Sequence, residues 1–288
     1  MAVATATATL YSERKRRVGE LRERYRFARQ VLDFYGALLS VQERAYMETA
    51  EARPGANDLI AYVAEMVVPK VAEVTVAAGP DRLRTAVLAS LEQQDSRAII
   101  GAWIQGADQT AVDRFLARAA LTPVLEAADR QLRAVCSGPR DARHCPDCGG
   151  APQVSASMPA ADDLATGSRV LACARCSTTW GYPRLTCAGC GEDSSSQLQV
   201  FAELGTAAGE RGSVIRGLSA GVTPATDQAT FPHIRIEACN SCRQYLLAVD
   251  VATDRKAVPL VDELAAIPLD LYARDRGFTK ITPNLMGF

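Results

Sequence analysis

Four Cys-x-x-Cys pairs constrain this chain more than any other feature. They are Cys145/Cys148, Cys173/Cys176, Cys187/Cys190 and Cys239/Cys242, and they take up eight of the nine cysteines. Two residues between thiols let both sulfurs of a pair reach one ion from a single tight turn. Two such turns complete a tetrahedron. Four pairs therefore predict two tetrathiolate metal sites.

The pairs are of two kinds. Cys145-Pro146-Asp147-Cys148-Gly149 and Cys187-Ala188-Gly189-Cys190-Gly191 end in glycine, which tolerates a positive φ where a knuckle turns back. The other two follow β-like runs, Val170-Leu171-Ala172-Cys173 and Ile234-Arg235-Ile236-Glu237-Ala238-Cys239, and are followed by Trp180 and Tyr245. The alternation of glycine knuckle and strand knuckle reads as a module repeated in tandem. It assigns Cys145, Cys148, Cys173 and Cys176 to one ion, and Cys187, Cys190, Cys239 and Cys242 to the other. A crossed arrangement, with the first pair joined to the third or fourth, stays open at this point.

A chain of 288 residues can bury a real core and divide into two domains. The formal net charge of -1 counts every cysteine as a neutral thiol. Each divalent ion held by four thiolates makes a site of charge -2, so loading two takes the chain to about -5. That balance does not favour a nucleic-acid partner. Thiolates kept for metal need a reducing compartment, which predicts the cytoplasm. The cluster Arg14-Lys15-Arg16-Arg17 follows the Ala/Thr-rich start instead of preceding it, the wrong order for a secretory signal. The most apolar run, Leu59 to Ala78, carries Glu65, Lys70 and Glu73 and contains Pro69, so no membrane insertion is expected.

Residues 1–10 are expected to lack order. From Val18 an apolar stripe through Leu21, Tyr25, Ala28, Leu32, Tyr35 and Leu39 predicts one long amphipathic helix, ended by Pro54-Gly55 somewhere after Ala52. Further helices are expected from Asn57 or Asp58 to Pro69 and on to Ala78, and from Asp81 to Gln93. The stretch Asp95–Gln105 is apolar enough to be buried, with Trp103 as a core residue. Two more helices, Ala107–Ala120 and Pro123–Val135, are divided at Thr122-Pro123 because proline disfavours helical geometry in the residue before it. Ser137-Gly138-Pro139 marks the boundary to the metal-binding half, whose short segments suit hairpin-built ribbons. Glu203–Gln228, rich in Gly, Ala, Thr and Ser, reads as a mobile excursion. Tyr245–Val251 reads as a closing strand, and Leu260–Arg276 as a helix interrupted at Pro268 and capped by Gly277.

The fold expected is α+β: an N-terminal helical domain, two tandem rubredoxin-like or zinc-ribbon modules, and a C-terminal helix. Its divisions are 1–10, 11–136 (helical), 140–183 (first ribbon), 184–258 (second ribbon) and 259–288 (helix and tail).

The plain reading of the eight cysteines is structural, as two closed sites with no open coordination position. The ligand set suits zinc or iron and does not choose between them. Iron in the same tetrahedron would allow redox cycling. Catalysis by side chains has little to stand on. His144 precedes Cys145 as a neighbour of the site, His233 opens a strand, and Cys136 reads as a small buried residue. No phosphate-cradling loop, Gly-x-Ser-x-Gly elbow or His-Glu-x-x-His helix occurs, so no catalytic residue and no organic cofactor is expected. Arg140, Arg143, Arg169, Arg175, Arg184 and Arg243 lie near the knuckles. There they offset thiolate charge or face an acidic partner more economically than they bind phosphates.

These residues resemble the family of formate dehydrogenase accessory proteins called FdhE. The likeness rests on Cys145-Pro146-Asp147-Cys148-Gly149, Leu171-Ala172-Cys173-Ala174-Arg175-Cys176 with Trp180, Arg184-Leu185-Thr186-Cys187, and Glu237-Ala238-Cys239-Asn240-Ser241-Cys242. Asp262-Glu263-Leu264, Leu269-Asp270-Leu271, Gly277-Phe278 and Pro283-Asn284 extend it to the end of the chain. The helical half adds only Arg26-Phe27-Ala28-Arg29 and Gln42. The spacing from Cys190 to Cys239 is longer than the family pattern, and the tail differs in detail. The resemblance implies a cytoplasmic maturation factor that contacts the catalytic subunit of respiratory formate dehydrogenase and is not itself an oxidoreductase. It also implies rubredoxin-like iron coordination, with zinc as the alternative. The oligomeric state is not set by any of these features.

Overall fold

The computed structural model describes residues 2–159, 167–204, 214–218 and 229–288. They form two compact units. The first comprises Met1–Gly150, Cys173–Thr178 and Leu285–Gly287, and the second Ala151–Ala172, Thr179–Asn284 and Phe288.

In the first unit the chain starts with α1 (Ala2–Arg24), a 3-10 turn at Arg26–Ala28 and α2 (Arg29–Ala52). Helix thus takes in the start that was expected to lack order. Alanine has the highest helix propensity, and no glycine or proline occurs between Ala2 and Val18. The stripe from Val18 to Leu39 is buried throughout, as predicted, but it does not lie on one helix. Arg22 pairs with Asp33 at 3.1 Å, Lys15 with Glu43 at 2.6 Å, and Tyr11 meets Tyr46 at 5.8 Å between ring centroids. These pairs are those of an antiparallel hairpin. Periodicity reports which face is buried, and both arms of a hairpin turn that face inward. Arg53, at φ 46°, ends α2 immediately before Pro54.

α3 (Leu59–Tyr62), a π-turn over Val63–Val67 and α4 (Val68–Ala78) follow, with Pro69 in the first turn of α4, where its missing N–H costs nothing. α5 spans Asp81–Gln93. α6 spans Ser96–Gln105 and is capped by the Asp95 carboxylate, which accepts from the Arg97 N–H.

α7 runs over Ala111–Ala127 and α8 over Arg130–Arg133. The expected division at Pro123 does not occur. Pro123 lies inside α7 and deprives the Ala119 carbonyl of its usual donor. The buried Gln42 side chain of α2 supplies one, its Nε2 lying 3.0 Å from that oxygen. Gln42→Leu should therefore leave a buried acceptor unpaired and cost about 1–3 kcal/mol. Denaturant melts should show that loss, and Gln42→Leu with Pro123→Ala should recover much of it. Equal stabilities for Gln42→Leu and wild type would contradict this role. Close by, Glu126 of α7 accepts two hydrogen bonds from the buried Arg14 guanidinium, at 2.7 and 3.1 Å, and one from the Tyr11 hydroxyl at 2.8 Å.

The second unit is built on an eight-stranded sheet. Its strands are β1 (Pro152–Ser157), β2 (Arg169–Cys173), β3 (Thr179–Gly181), β4 (Leu198–Leu204), β5 (Val214–Leu218), β6 (Ile234–Cys239), β7 (Gln244–Asp250) and β8 (Thr279–Lys280). The order is β3-β2-β1-β7-β6-β4-β5, with β8 also on β7. The two ribbons share this sheet because β1 pairs with β7 in parallel, in register Ser155 to Ala248. The strand expected to close the fold is therefore internal to it. Most of the 203–228 excursion lies outside the described residues, and within it Val214–Leu218 pairs antiparallel with β4.

α9 (Pro259–Ala265) and α10 (Ile267–Asp275) divide at Ala266, which puts Pro268 in the first turn of α10, and Gly277, at φ 76°, ends α10. They cover one face of the sheet. Phe201 of β4 packs against Tyr272 and Phe278 at 5.6 and 6.2 Å, and the Tyr245 hydroxyl donates to Asp270 Oδ1 at 2.8 Å. Beneath them Lys280 is buried, with its ammonium 3.1 Å from Glu263 Oε2 and 3.0 Å from Asp270 Oδ1. Gln153 donates to the other Glu263 oxygen. At the chain end the Phe288 N–H donates to Asn284 Oδ1 at 3.2 Å.

Candidate metal centres

The eight paired cysteines gather into two groups of four, Cys145/Cys148/Cys173/Cys176 and Cys187/Cys190/Cys239/Cys242, each with its sulfurs within 4.8 Å of one another. The grouping is the tandem one. In the first group the Sγ atoms of Cys145 and Cys176 are 3.6 Å apart, those of Cys148 and Cys173 3.3 Å, and those of Cys148 and Cys176 3.5 Å. In the second, Cys187 and Cys242 stand 3.7 Å apart, and Cys190 and Cys239 3.8 Å. Four thiolates held at about 2.3 Å from one ion stand roughly 3.8 Å from each other. A disulfide would bring two of them to about 2.0 Å. The spacing fits a metal tetrahedron.

The backbone makes this geometry the same way four times. The residue after the second cysteine of every pair has a positive φ: Gly149 68°, Ser177 57°, Gly191 84° and Arg243 57°. Glycine is the easy choice there, and its presence in only two of the knuckles hid the equivalence in the sequence. Sulfur also receives backbone donors, from the Arg175 N–H to Cys173 and from the Gly189 N–H to Cys187, both at 3.3 Å. Gly150 closes over the first group: a Cβ there would stand 2.8 Å from Cys173 Sγ.

Side chains of the first unit brace the first group. Arg133 donates to the Leu125 and Glu126 carbonyls at 2.7 and 3.1 Å, to Asp147 between Cys145 and Cys148 at 3.1 Å, and to Thr178 at 3.0 Å. The Thr178 hydroxyl is 3.3 Å from Cys176 Sγ. Arg175 donates to the Ser137 carbonyl at 2.6 Å and lies over the half-buried Trp103 ring. Neither Arg133 nor Thr178 was singled out in the sequence; only their long-range partners reveal them.

The remaining basic residues near the knuckles also have protein partners. Arg140 donates to the Cys136 carbonyl, Arg143 to Asp141, Arg184 to the Gly167 carbonyl, and Arg243 to the Arg276 carbonyl. Arg169 pairs with Glu237. His144 shares a hydrogen with Asp141 at 2.7 Å. His233 is buried with Nε2 2.8 Å from Asp262 Oδ1, and Asp254 lies close to both. The other Asp262 oxygen accepts from the Val258 N–H at 2.7 Å. Burial pushes the Cys136 thiol up to about 11, which keeps it protonated and unreactive near neutral pH.

The two groups differ in exposure. All four cysteines of the first are buried, whereas Cys190 is exposed and Cys242 half-buried in the second. A chelator or thiol reagent should therefore take one ion quickly and the other slowly. Metal release to 4-(2-pyridylazo)resorcinol should be biphasic, and the fast phase should be missing from Cys239→Ser. A single phase releasing both ions together would contradict this difference.

Residues 220–286 match the family model described as FdhE, C-terminal domain. A protein of Aquifex aeolicus named Protein FdhE homolog is 28% identical over 203 residues, covering 70% of this chain and 61% of its own length. One of Pseudomonas aeruginosa with the same name is 31% identical over 142 residues, covering 49% of this chain and 38% of its own. The chain is similar to FdhE proteins in its C-terminal part and over the aligned stretches of these relatives. The chain thus spans about three fifths or less of these curated relatives. The crystal structure of the FdhE protein from Pseudomonas aeruginosa shares the fold, with a TM-score of 0.59 and 21% identity over 96% of this chain and 94% of that one. Among the described residues no helix is long and apolar enough to cross a membrane.

Proposed function

We propose that this protein is a cytoplasmic accessory factor needed for active respiratory formate dehydrogenase, and that it binds the catalytic subunit of that enzyme during maturation. The observation that carries this reading is the pair of four-cysteine groups within a chain similar to FdhE proteins. Cys145, Cys148, Cys173 and Cys176 hold one ion, and Cys187, Cys190, Cys239 and Cys242 the other. Iron is favoured by the family resemblance, with zinc as the alternative. When bound, either ion cross-links segments distant in sequence, and iron would add one-electron redox chemistry. With four thiolates on each ion no coordination position is left for substrate, so the sites serve to fix a binding surface.

Exposure of Cys190 favours a second reading, an iron-based redox carrier or sensor working through the second centre. The test is complementation. Expressed in a formate-respiring strain that lacks its own FdhE protein, the wild-type chain should restore formate dehydrogenase activity. Activity that stays at the deletion level with a chain carrying both ions would overturn the accessory reading. A visible spectrum that bleaches reversibly on reduction would then favour the redox one.

A further inference from the structure

The helices α9 and α10 cover one face of the second unit's sheet. The opposite face carries a cavity of about 420 Å³, within the range of small-ligand and peptide-side-chain sites. Its floor follows from the strand register. Val200, Glu237 and Leu246 stand side by side across β4, β6 and β7, and Leu198 and Cys239 form the next row. The wall and rim come from Arg184, Leu185 and Thr186, where Leu185 is 70% exposed, a large apolar side chain left in water.

The charges lining the cavity are divided between its ends. The end at Cys239 adjoins the second thiolate group and is anionic when loaded. Arg235 lies four residues away along β6, about 13 Å at the rise of an extended strand. Arg169 is committed to Glu237. Arg235 has a long contact to Asp250 at 3.5 Å, and its Nε–H is buried with no hydrogen-bond acceptor among the described residues. Arg184 at the rim donates to one backbone carbonyl. An apolar trough with the incompletely used Arg235 guanidinium at the end away from Cys239, and the exposed Arg184 on its rim, suits a ligand with an apolar side chain and a carboxylate. The buried Arg235 donor is the group such a carboxylate would satisfy.

We propose that this cavity is a docking site for an extended acidic–apolar peptide segment of the partner protein, a carboxylate on Arg235, its apolar side chain over Val200 and Leu246, and its acidic flank passing the rim at Arg184. The proposal rests on the accessory reading above, and it adds which surface meets the partner and by what chemistry.

The test uses the metal-loaded full chain and short fluorescent peptides tiled along the formate dehydrogenase catalytic subunit, read by fluorescence anisotropy. At least one tile that combines acidic and apolar residues should bind saturably. Arg235→Gln and Arg184→Glu should each weaken it about tenfold or more, while both variants keep two ions and the wild-type melting temperature. Arg184 is exposed, so its variant decides the matter if Arg235→Gln fails to fold. Capture of the intact subunit with no tile bound, or with tile binding unchanged in the folded variants, would overturn the docking site and leave the accessory reading standing. No capture of the intact subunit by the wild-type chain would overturn the accessory reading itself.

Discussion

Cys145→Ser should reduce the metal content from two ions per chain to one and unfold the region around the first centre. Cys145 is fully buried and 3.6 Å from Cys176 Sγ. Cys148 belongs to the same knuckle and Cys173 and Cys176 to one further along the chain, so a bound ion would cross-link two segments distant in sequence. Structural four-ligand zinc sites contribute on the order of 10 kcal/mol of folding free energy. A serine hydroxyl at this position is a far weaker ligand than a thiolate. The loss should spread to Arg133 and Thr178, because both bond to groups in or beside the Cys145–Cys148 and Cys173–Cys176 knuckles. Metal analysis by mass spectrometry, with a thermal melt, checks this. Two ions retained at an unchanged melting temperature would contradict it.

Lys280→Met should cost about 3–5 kcal/mol, the loss that follows when one partner of a buried ionic cluster is removed. The Lys280 ammonium and the Glu263 and Asp270 carboxylates have side-chain exposures of 1% or less. Without the ammonium, two carboxylates stay buried side by side. Burial already raises the Glu263 pKa above the ordinary carboxylate value, against the lowering by Lys280 and Gln153. A carboxyl group whose pKa is raised in the folded state stabilises that state when protonated. It loses that contribution as pH rises through the folded pKa. The deficit of Lys280→Met should therefore be largest at neutral and higher pH, and shrink as acid protonates Glu263. Denaturant melts across that range give the sign. A deficit that grows toward acid would contradict the arrangement.

The metal half was legible in the sequence because its chemistry needs particular residues at short spacing. Four Cys-x-x-Cys pairs and their alternating flanks gave the two groups of four. Other features depend on contacts between distant segments. The stripe from Val18 to Leu39 named the buried residues correctly and could not show the turn at Arg26–Ala28, since both arms of a hairpin bury the same stripe. Pro123 read as a boundary from local rules alone; the amide that permits it to stay within α7 comes from Gln42, far away in sequence. The merging of both ribbons into one sheet rests on the parallel pairing of β1 with β7, which no short-range pattern announces. The positive φ at Ser177 and Arg243 was masked because neither position uses glycine.

Affinity purification of the tagged chain from cells respiring formate, with bound proteins identified by mass spectrometry, asks whether the protein meets a formate dehydrogenase at all. The formate dehydrogenase catalytic subunit should be enriched, and the enrichment should be lost when Cys239→Ser removes a thiol of the second centre. Absence of that subunit, with both ions bound and the subunit well expressed, would contradict it.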